Sequence, residues 1–366
     1  MRLLKLKINI VGTYFGSSGY ASNTKQLSFS LHELGHEVRV DCNKPHGWEM
    51  LVNDVELLML TRKLESDYVT IYIGQPPFLP IVMSENTKTV IPYVVWEGNK
   101  IPKYYLEYLL DPKIKQIWCP SQHVKKAILY YPEAQKLKNK IKIVPHGVNL
   151  NIFSVKEPQT DQPFKFLACK GWSQGINDRG GIQWIIKAFH EEFTVKDNVQ
   201  LFVKINTAYG MIDPNAEINK LGITKTNTSP QIMISLNDVE YKTMNNFYDG
   251  DVFVTAAMAE GFNIPCLESM ACGIPVITTN YGGQTDYINS RNGWFVNGTM
   301  FEVTHDKMYE GIKWMQPDLK QLRNAMRYCY EHREEVKTKG LQALKTAQKM
   351  TWTNSAKIAQ SFLKEL

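Results

Sequence analysis

Hydrophobic positions in the first half of the chain fall into short runs separated by stretches with helical spacing. Leu6–Val11 is a β-rich run ending at Gly12, and the loop Thr13–Gly19 follows it. Leu27, Leu31 and Leu34 then recur at helical spacing, and Gly35 sits where a helix-ending glycine belongs. Val38 and Val40 resume a strand, and Tyr68–Ile73, Thr89–Val95 and Gln116–Cys119 predict three more. The polar, proline-bearing stretch Ser154–Pro163 reads as a linker. A second series opens with the strand Phe164–Cys169 and continues through a helix over Gly181–Phe193. The strands Val199–Ile205, Gln231–Ser235 and Asp251–Ala256 follow, then a helix from Pro265 and a strand over Pro275–Thr278. From about Asp306 the pattern reads as largely helical, with Ile358, Phe362 and Leu366 as the core-facing stripe of the last helix. Alternating β and α at this spacing predicts parallel sheets covered on both faces. Two open α/β domains in series place a ligand cleft between them, beyond the carboxyl ends of their strands.

Composition and charge narrow the classes without naming one. The 366 residues suit two domains, and 43% hydrophobic with 21% charged residues is a globular composition. No apolar run approaches the roughly 20 residues that span a bilayer, and Met1–Ile10 reads as a first strand, not a signal peptide. The six cysteines are scattered without zinc-like spacing, which fits buried thiols in a reducing cytoplasm. The net charge of +6 is mild, but Lys113–Lys142 holds eight lysines against the single acid Glu133. That run reads either as a solvated face or as a peripheral contact with an anionic membrane or acceptor. It lacks the interleaved aromatic platform of a nucleic-acid binder.

The densest chemistry lies in Glu260-Gly-Phe-Asn-Ile-Pro-Cys-Leu-Glu268. Glu260 follows a strand, and Pro265 suits the first turn of a helix, which would place Glu268 in that same turn. A helix N-terminus presents free N–H groups and partial positive charge, a seat for phosphate. Asp249-Gly-Asp251 has the spacing of a metal-binding pair, but Asp251 leads directly into the strand before Glu260, so no metal is expected.

Residues Asp251–Gly283 resemble the signature of retaining glycosyltransferases of family 4, glycosyl transferases group 1, with the GT-B fold. Val144-Pro-His-Gly-Val-Asn149 with Phe153 is similar to the segment between that family's domains, and Thr351-Trp-Thr-Asn-Ser-Ala-Lys-Ile to its C-terminal helix. The resemblance implies two Rossmann-like domains facing each other across a deep cleft, with the last helix packing back on the first. The boundaries expected are 1–153 plus 352–366 for the acceptor-binding domain, and 164–345 for the donor-binding domain. It implies that Glu260 contacts donor-sugar hydroxyls, that Glu268 binds the ribose, and that backbone N–H groups around Phe262, Asn263 and Ile264 touch sugar and phosphates. Lys170-Gly171 and Arg179-Gly180 stand, with cation types exchanged, where the family clamps the diphosphate. The loop Gly16-Ser-Ser-Gly19 resembles the glycine loop that approaches the donor. Where many members carry a histidine near the reacting carbon, this chain has Trp96-Glu97-Gly98. Trp96 then either stacks on a sugar or sits in the core, and Glu97 is the candidate acceptor-side carboxylate.

The resemblance implies transfer of a hexose-type sugar from a nucleoside-diphosphate sugar to a glycan or glycolipid hydroxyl, with no cofactor beyond the donor. A sugar-nucleotide epimerase of the same fold and a non-catalytic sugar-nucleotide- or glycan-binding subunit remain alternatives. Acceptor choice is expected to rest on the loops Lys44–Glu49 and Gln75–Pro80, and the protein is expected in the cytoplasm, with the lysine run as its route to the membrane face.

Overall fold

The computed structural model describes residues 5–42, 52–83, 89–156, 162–207, 210, 212–237 and 239–366. The expected acceptor loop 44–49 and part of the polar linker therefore lie outside the described residues. The chain divides into two compact units, one made of Met1–Gly147 with Met350–Leu366, the other of Val148–Lys349.

In the first unit the elements run β1 (Lys7–Gly12), α1 (Gly19–Glu33), β2 (Glu37–Cys42), α2 (Asp54–Thr61), β3 (Val69–Ile73), α3 (Leu79–Met83), β4 (Thr89–Tyr93), α4 (Lys103–Leu109), β5 (Ile117–Cys119), α5 (Gln122–Ile128) and β6 (Ile141–Ile143). Its six strands are parallel, in the order β2-β1-β3-β4-β5-β6. Every residue of β3 is buried, as a central parallel strand requires, since helices cover both faces. Ser18 caps α1 by accepting from the Ala21 N–H at 3.2 Å, and Gly35 takes the left-handed conformation (φ 89°) just past its end. The strand order reverses between β1 and β3, so the loop after β1, carrying Gly16 and Gly19, sits at this unit's switch point.

The second unit contains β7 (Phe164–Lys170), α6 (Ile182–Glu192), β8 (Val199–Ile205), α7 (Pro214–Lys220), β9 (Gln231–Ser235), β10 (Val252–Thr255), α8 (Ile264–Ala271), β11 (Val276–Thr279), β12 (Gly293–Val296), β13 (Gly298–Glu302), β14 (Lys313–Pro317), α9 (Leu319–Glu331) and α10 (Arg333–Ala347). Its parallel sheet has the order β12-β11-β10-β7-β8-β9, the doubly wound arrangement of dinucleotide-binding folds, with its switch point between β7 and β10. Ile182, Ile185, Ile186 and Phe189 of α6 pack with Phe166, Leu201 and Val203 in the core on one face.

Two expectations change. The region after Asp306 is not simply helical, because β14 pairs antiparallel with β13 to make a separate hairpin. In β13 no residue is fully buried, so it has no apolar run to betray it. The last helix, α11 (Trp352–Leu363), joins the first unit and packs on α1, but its buried stripe is rotated from the one expected. Trp352, Ala356, Ala359 and Leu363 face the core, Ile358 and Phe362 lie at its margin, and Leu366 is exposed. Gln116 Nε2 donates to the Phe362 carbonyl at 2.9 Å, and Gln360 Nε2 meets His36 Nε2 at 2.9 Å, pinning the helix.

In the basic segment, Lys140 donates to the Ile114 carbonyl (2.8 Å) and Lys142 pairs with Glu365 (2.7 Å). Lys113, Lys115, Lys126, Lys136 and Lys138 are exposed. No described helix is long and apolar enough to cross a membrane.

Gly181 precedes α6 with φ 78°, and a Cβ there would run into the Ala256 carbonyl. The Gly181→Ala change should cost about 1–3 kcal/mol, because both the left-handed conformation and the close approach exclude a side chain. The check is thermal unfolding, where the midpoint should fall by roughly 2–4 °C per kcal/mol.

Candidate active site

At the switch point of the second sheet, β7 ends at Lys170 and β10 leads through Ala256–Ala259 to Glu260. The Lys170 ammonium donates to Glu260 Oε1 at 3.0 Å and to Asn263 Oδ1 at 2.7 Å. Arg179 Nη1 donates to the same Glu260 oxygen at 3.2 Å and to the Ala259 carbonyl at 2.6 Å. Lys170, Arg179, Glu260 and Asn263 thus form one cluster, with two cations sharing one carboxylate. Burial alone would push the Glu260 carboxyl up, but the two cations outweigh it and hold the group below its usual range.

Backbone contacts set this geometry. The Met258 N–H donates to the Arg179 carbonyl at 2.8 Å, locking the loop after β7 to the loop after β10. Asp178, a residue the sequence reading passed over, organises the first loop. Its Oδ2 accepts from the N–H groups of Ser173 (2.7 Å) and Gln174 (3.1 Å), and its Oδ1 from that of Gly180 (2.8 Å). The only sequence signal is its position directly before Arg179-Gly180-Gly181.

Asn263 adopts the left-handed conformation (φ 71°, ψ 66°), which asparagine tolerates better than most residues, and α8 begins at Ile264. No side chain caps the helix, so its N-terminus keeps N–H groups and partial positive charge beside the cluster. Tyr287, also missed, donates its hydroxyl to the Phe262 and Asn263 carbonyls at 2.9 and 2.8 Å, and its ring packs on that of Phe262. Phe262 and Asn263 are accordingly buried.

Glu268 is the fifth residue of α8, not in its first turn, because the helix starts at Ile264, one residue before Pro265. It is 4% exposed, and its Oε2 accepts from the Tyr248 hydroxyl at 2.7 Å. Burial pushes its carboxyl up to about 7, against the opposing hydroxyls of Tyr248 and Tyr241.

The remaining candidates belong to the first unit. Gly16 has a positive φ of 108°, and Gly19 is the first residue of α1. Trp96 is core, not a sugar platform: it is buried, its Nε1 donates to the Lys100 carbonyl at 2.6 Å and its ring meets Tyr105 edge-on. Glu97 is half-buried after β4, and its carbonyl contacts His123 Nε2 at 2.8 Å. His146 is buried between Tyr93 and Trp352, and burial pushes it down to about 3. Asp251 accepts from the Lys165 N–H at 2.7 Å, and Asp249 lies 3.5 Å from the Lys165 ammonium. Among the described residues no group of three histidine, cysteine or acidic side chains is placed to hold a metal.

Residues 210–332 match the family model of glycosyl transferases group 1. The glycosyltransferase structure from Rickettsia africae superposes over 99% of both chains with a TM-score of 0.69 at 15% identity. The family match lies wholly within the second unit, which is similar to the group 1 glycosyltransferases. Anabaena HepE, solved in complex with UDP-glucose, aligns with 99% of this chain and 100% of its own, with a TM-score of 0.71 at 12% identity. Both neighbours fit the two parallel six-stranded sheets, and the fold is GT-B. In sequence, a protein of Thermosipho melanesiensis named "Probable sucrose-phosphate synthase" is 26% identical over 188 residues. That match covers 49% of this chain and 40% of the synthase's length.

Glu268 gives a pH signature. Its folded carboxyl titrates near 7 against about 4.5 when unfolded, so the folded state holds the proton more tightly. The resulting stability is present below pH 4.5 and is lost as pH rises to about 7, a change on the order of 3 kcal/mol. Denaturant unfolding of the ligand-free protein at pH 5 and pH 7.5 should show this loss, and Glu268→Gln should remove most of it.

Proposed function

We propose that the protein is a retaining glycosyltransferase of family 4, moving a hexose-type sugar from a nucleoside-diphosphate sugar to an acceptor hydroxyl. The observation that carries the reading is the convergence of Lys170, Arg179 and the uncapped α8 N-terminus on Glu260 at the sheet's switch point. In the proposed reaction the sugar C1–O bond to the terminal phosphate breaks as the acceptor oxygen bonds to C1 on the same face. The departing phosphate takes the acceptor proton, so no enzyme nucleophile is needed. The protein's work is to orient the donor and to offset the charge that grows on the leaving diphosphate. Lys170 and Arg179 suit that task because each is partly shielded from water, where electrostatic stabilisation is stronger.

Glu260 has two jobs in this reading. Its Oε1 positions both cations before donor arrives, and its carboxylate accepts from a hydroxyl of the donor sugar. Glu268, lined by Tyr248, takes the ribose hydroxyls. Glu97 is proposed on the acceptor side, and the Gly16–Gly19 loop as a donor contact. The two cations and the helix terminus supply the positive charge that a divalent ion supplies elsewhere, so chelation by EDTA should leave activity intact. The five exposed lysines between Lys113 and Lys138 are proposed as a peripheral contact with anionic membrane on the cytoplasmic face.

A thermal-shift screen of nucleotide sugars finds the donor, since a ligand that binds only the folded state raises its melting point. UDP-sugars come first, given that the HepE structures hold UDP and UDP-glucose. Transfer to acceptor with retained anomeric configuration, read by NMR of the product, is the expected result. Lys170→Ala and Arg179→Ala should each lower kcat by about 10²–10³-fold. Unchanged rates in both variants would overturn the assignment of the clamp. Donor conversion without acceptor would identify an epimerase, and nucleotide-sugar binding with no turnover a binding subunit.

A further inference from the structure

Lys204 is the penultimate residue of β8, one strand away from β7, and takes no part in the chemistry above. Residues 203 and 205 turn towards α6 in the core, so Lys204 projects from the opposite face of the sheet, with Cys169 beside it in register and Ser235 on its other side. Phe202, two residues earlier on that face, packs on Phe247, whose neighbour Tyr248 holds Glu268. The Cys169 thiol lies within electrostatic reach of Lys204, Glu268 and Lys170 together, so all four groups border one locality.

What is unusual is the state of this ammonium. Lys204 is 7% exposed, and among the described residues nothing forms an ion pair or hydrogen bond with it. A lysine tucked away to this degree without a partner is costly unless something else supplies the acceptor. Its nitrogen is nonetheless not among the side-chain atoms sealed from solvent without a partner, so the tip is not wholly closed off.

Position says which part of a ligand. The phosphate-sized charge cluster belongs to β7, β10 and the start of α8, and Glu268 lies one helical turn further along. Lys204 is two strands from β10, about 10 Å across the sheet. A nucleoside diphosphate laid with its phosphates at Lys170 and its ribose at Glu268 brings its base towards β8. We infer that Lys204 is a specificity-determining residue that donates to a ring carbonyl of the donor's base, selecting uracil or guanine over adenine. Uracil and guanine offer carbonyl oxygens to an ammonium, whereas adenine has no carbonyl and carries an amino donor where guanine has its carbonyl.

This inference rests on the proposed donor-binding reading, and calorimetric titration of UDP, GDP and ADP separates the two. The wild-type protein should bind UDP or GDP at least about tenfold more tightly than ADP. Lys204→Met keeps the stem and deletes the charge, and it should weaken that preferred nucleotide by about 10–100-fold while ADP binding stays constant. Lys204→Gln, which keeps a donor, should fall between them. The ligand-free Lys204→Met protein should melt at the same temperature as wild type or higher, because an unpartnered charge has been removed, which guards against a folding defect. Equal weakening towards all three nucleotides would reassign Lys204 to phosphate or ribose and overturn the inference, as would no change at all. Failure of the wild-type protein to bind any nucleoside diphosphate would overturn the donor-binding reading and this inference together.

Discussion

A single carboxylate oxygen of Glu260 accepts from both the Lys170 ammonium and the Arg179 guanidinium, and the geometry of the cluster depends on that shared contact. Two cations brought together with no anion would repel, and each would swing towards solvent. With Glu260 between them they stay in place, and the cluster keeps an excess positive charge. In the proposed reaction a diphosphate would meet positive groups already aimed at it, leaving little reorganisation for the moment of transfer. The arrangement is also costly to disturb from one side, since removing one member leaves the others partly buried and unbalanced.

Holding three side chains from two loops in one place falls to the backbone. Asp178 gathers three N–H groups of the loop after β7, the Arg179 carbonyl binds the Met258 N–H, and Gly181 lets that loop press against Ala256. The loop after β11 does similar work: the Gly283 N–H donates to the Glu260 carbonyl at 2.8 Å, and a side chain at Gly283 would strike Gly261. The rigidity of the site is therefore a property of loop-to-loop packing, with the parallel sheet as its base.

Much of this fold could be read from the sequence because central parallel strands are buried on both faces, and stretches such as the Val-Phe-Val that opens β10 leave a continuous apolar record. The β13–β14 hairpin leaves none, since its side chains are mostly half-exposed. The start of α8 differs by one residue: the left-handed Asn263 lets the helix begin at Ile264, before Pro265, and Glu268 moves out of the first turn. Asp178 was invisible for a different reason. Its partners are main-chain N–H groups, which carry no residue identity. Trp96 illustrates the opposite limit, an aromatic residue whose type fits a sugar surface equally well as a core, and only burial decides.

The return of α11 to the first unit makes the second unit an insertion within the first, bounded by Gly147 and Met350. Residues 148–349 emerge from the ribosome as one uninterrupted stretch and can close their sheet while synthesis continues. The first unit cannot, because Ala356, Ala359 and Leu363 complete a core begun by Ile8, Ile10 and Leu27 more than three hundred residues earlier. Its assembly waits on a contact of very long sequence separation, so the half of the molecule made first is the half finished last.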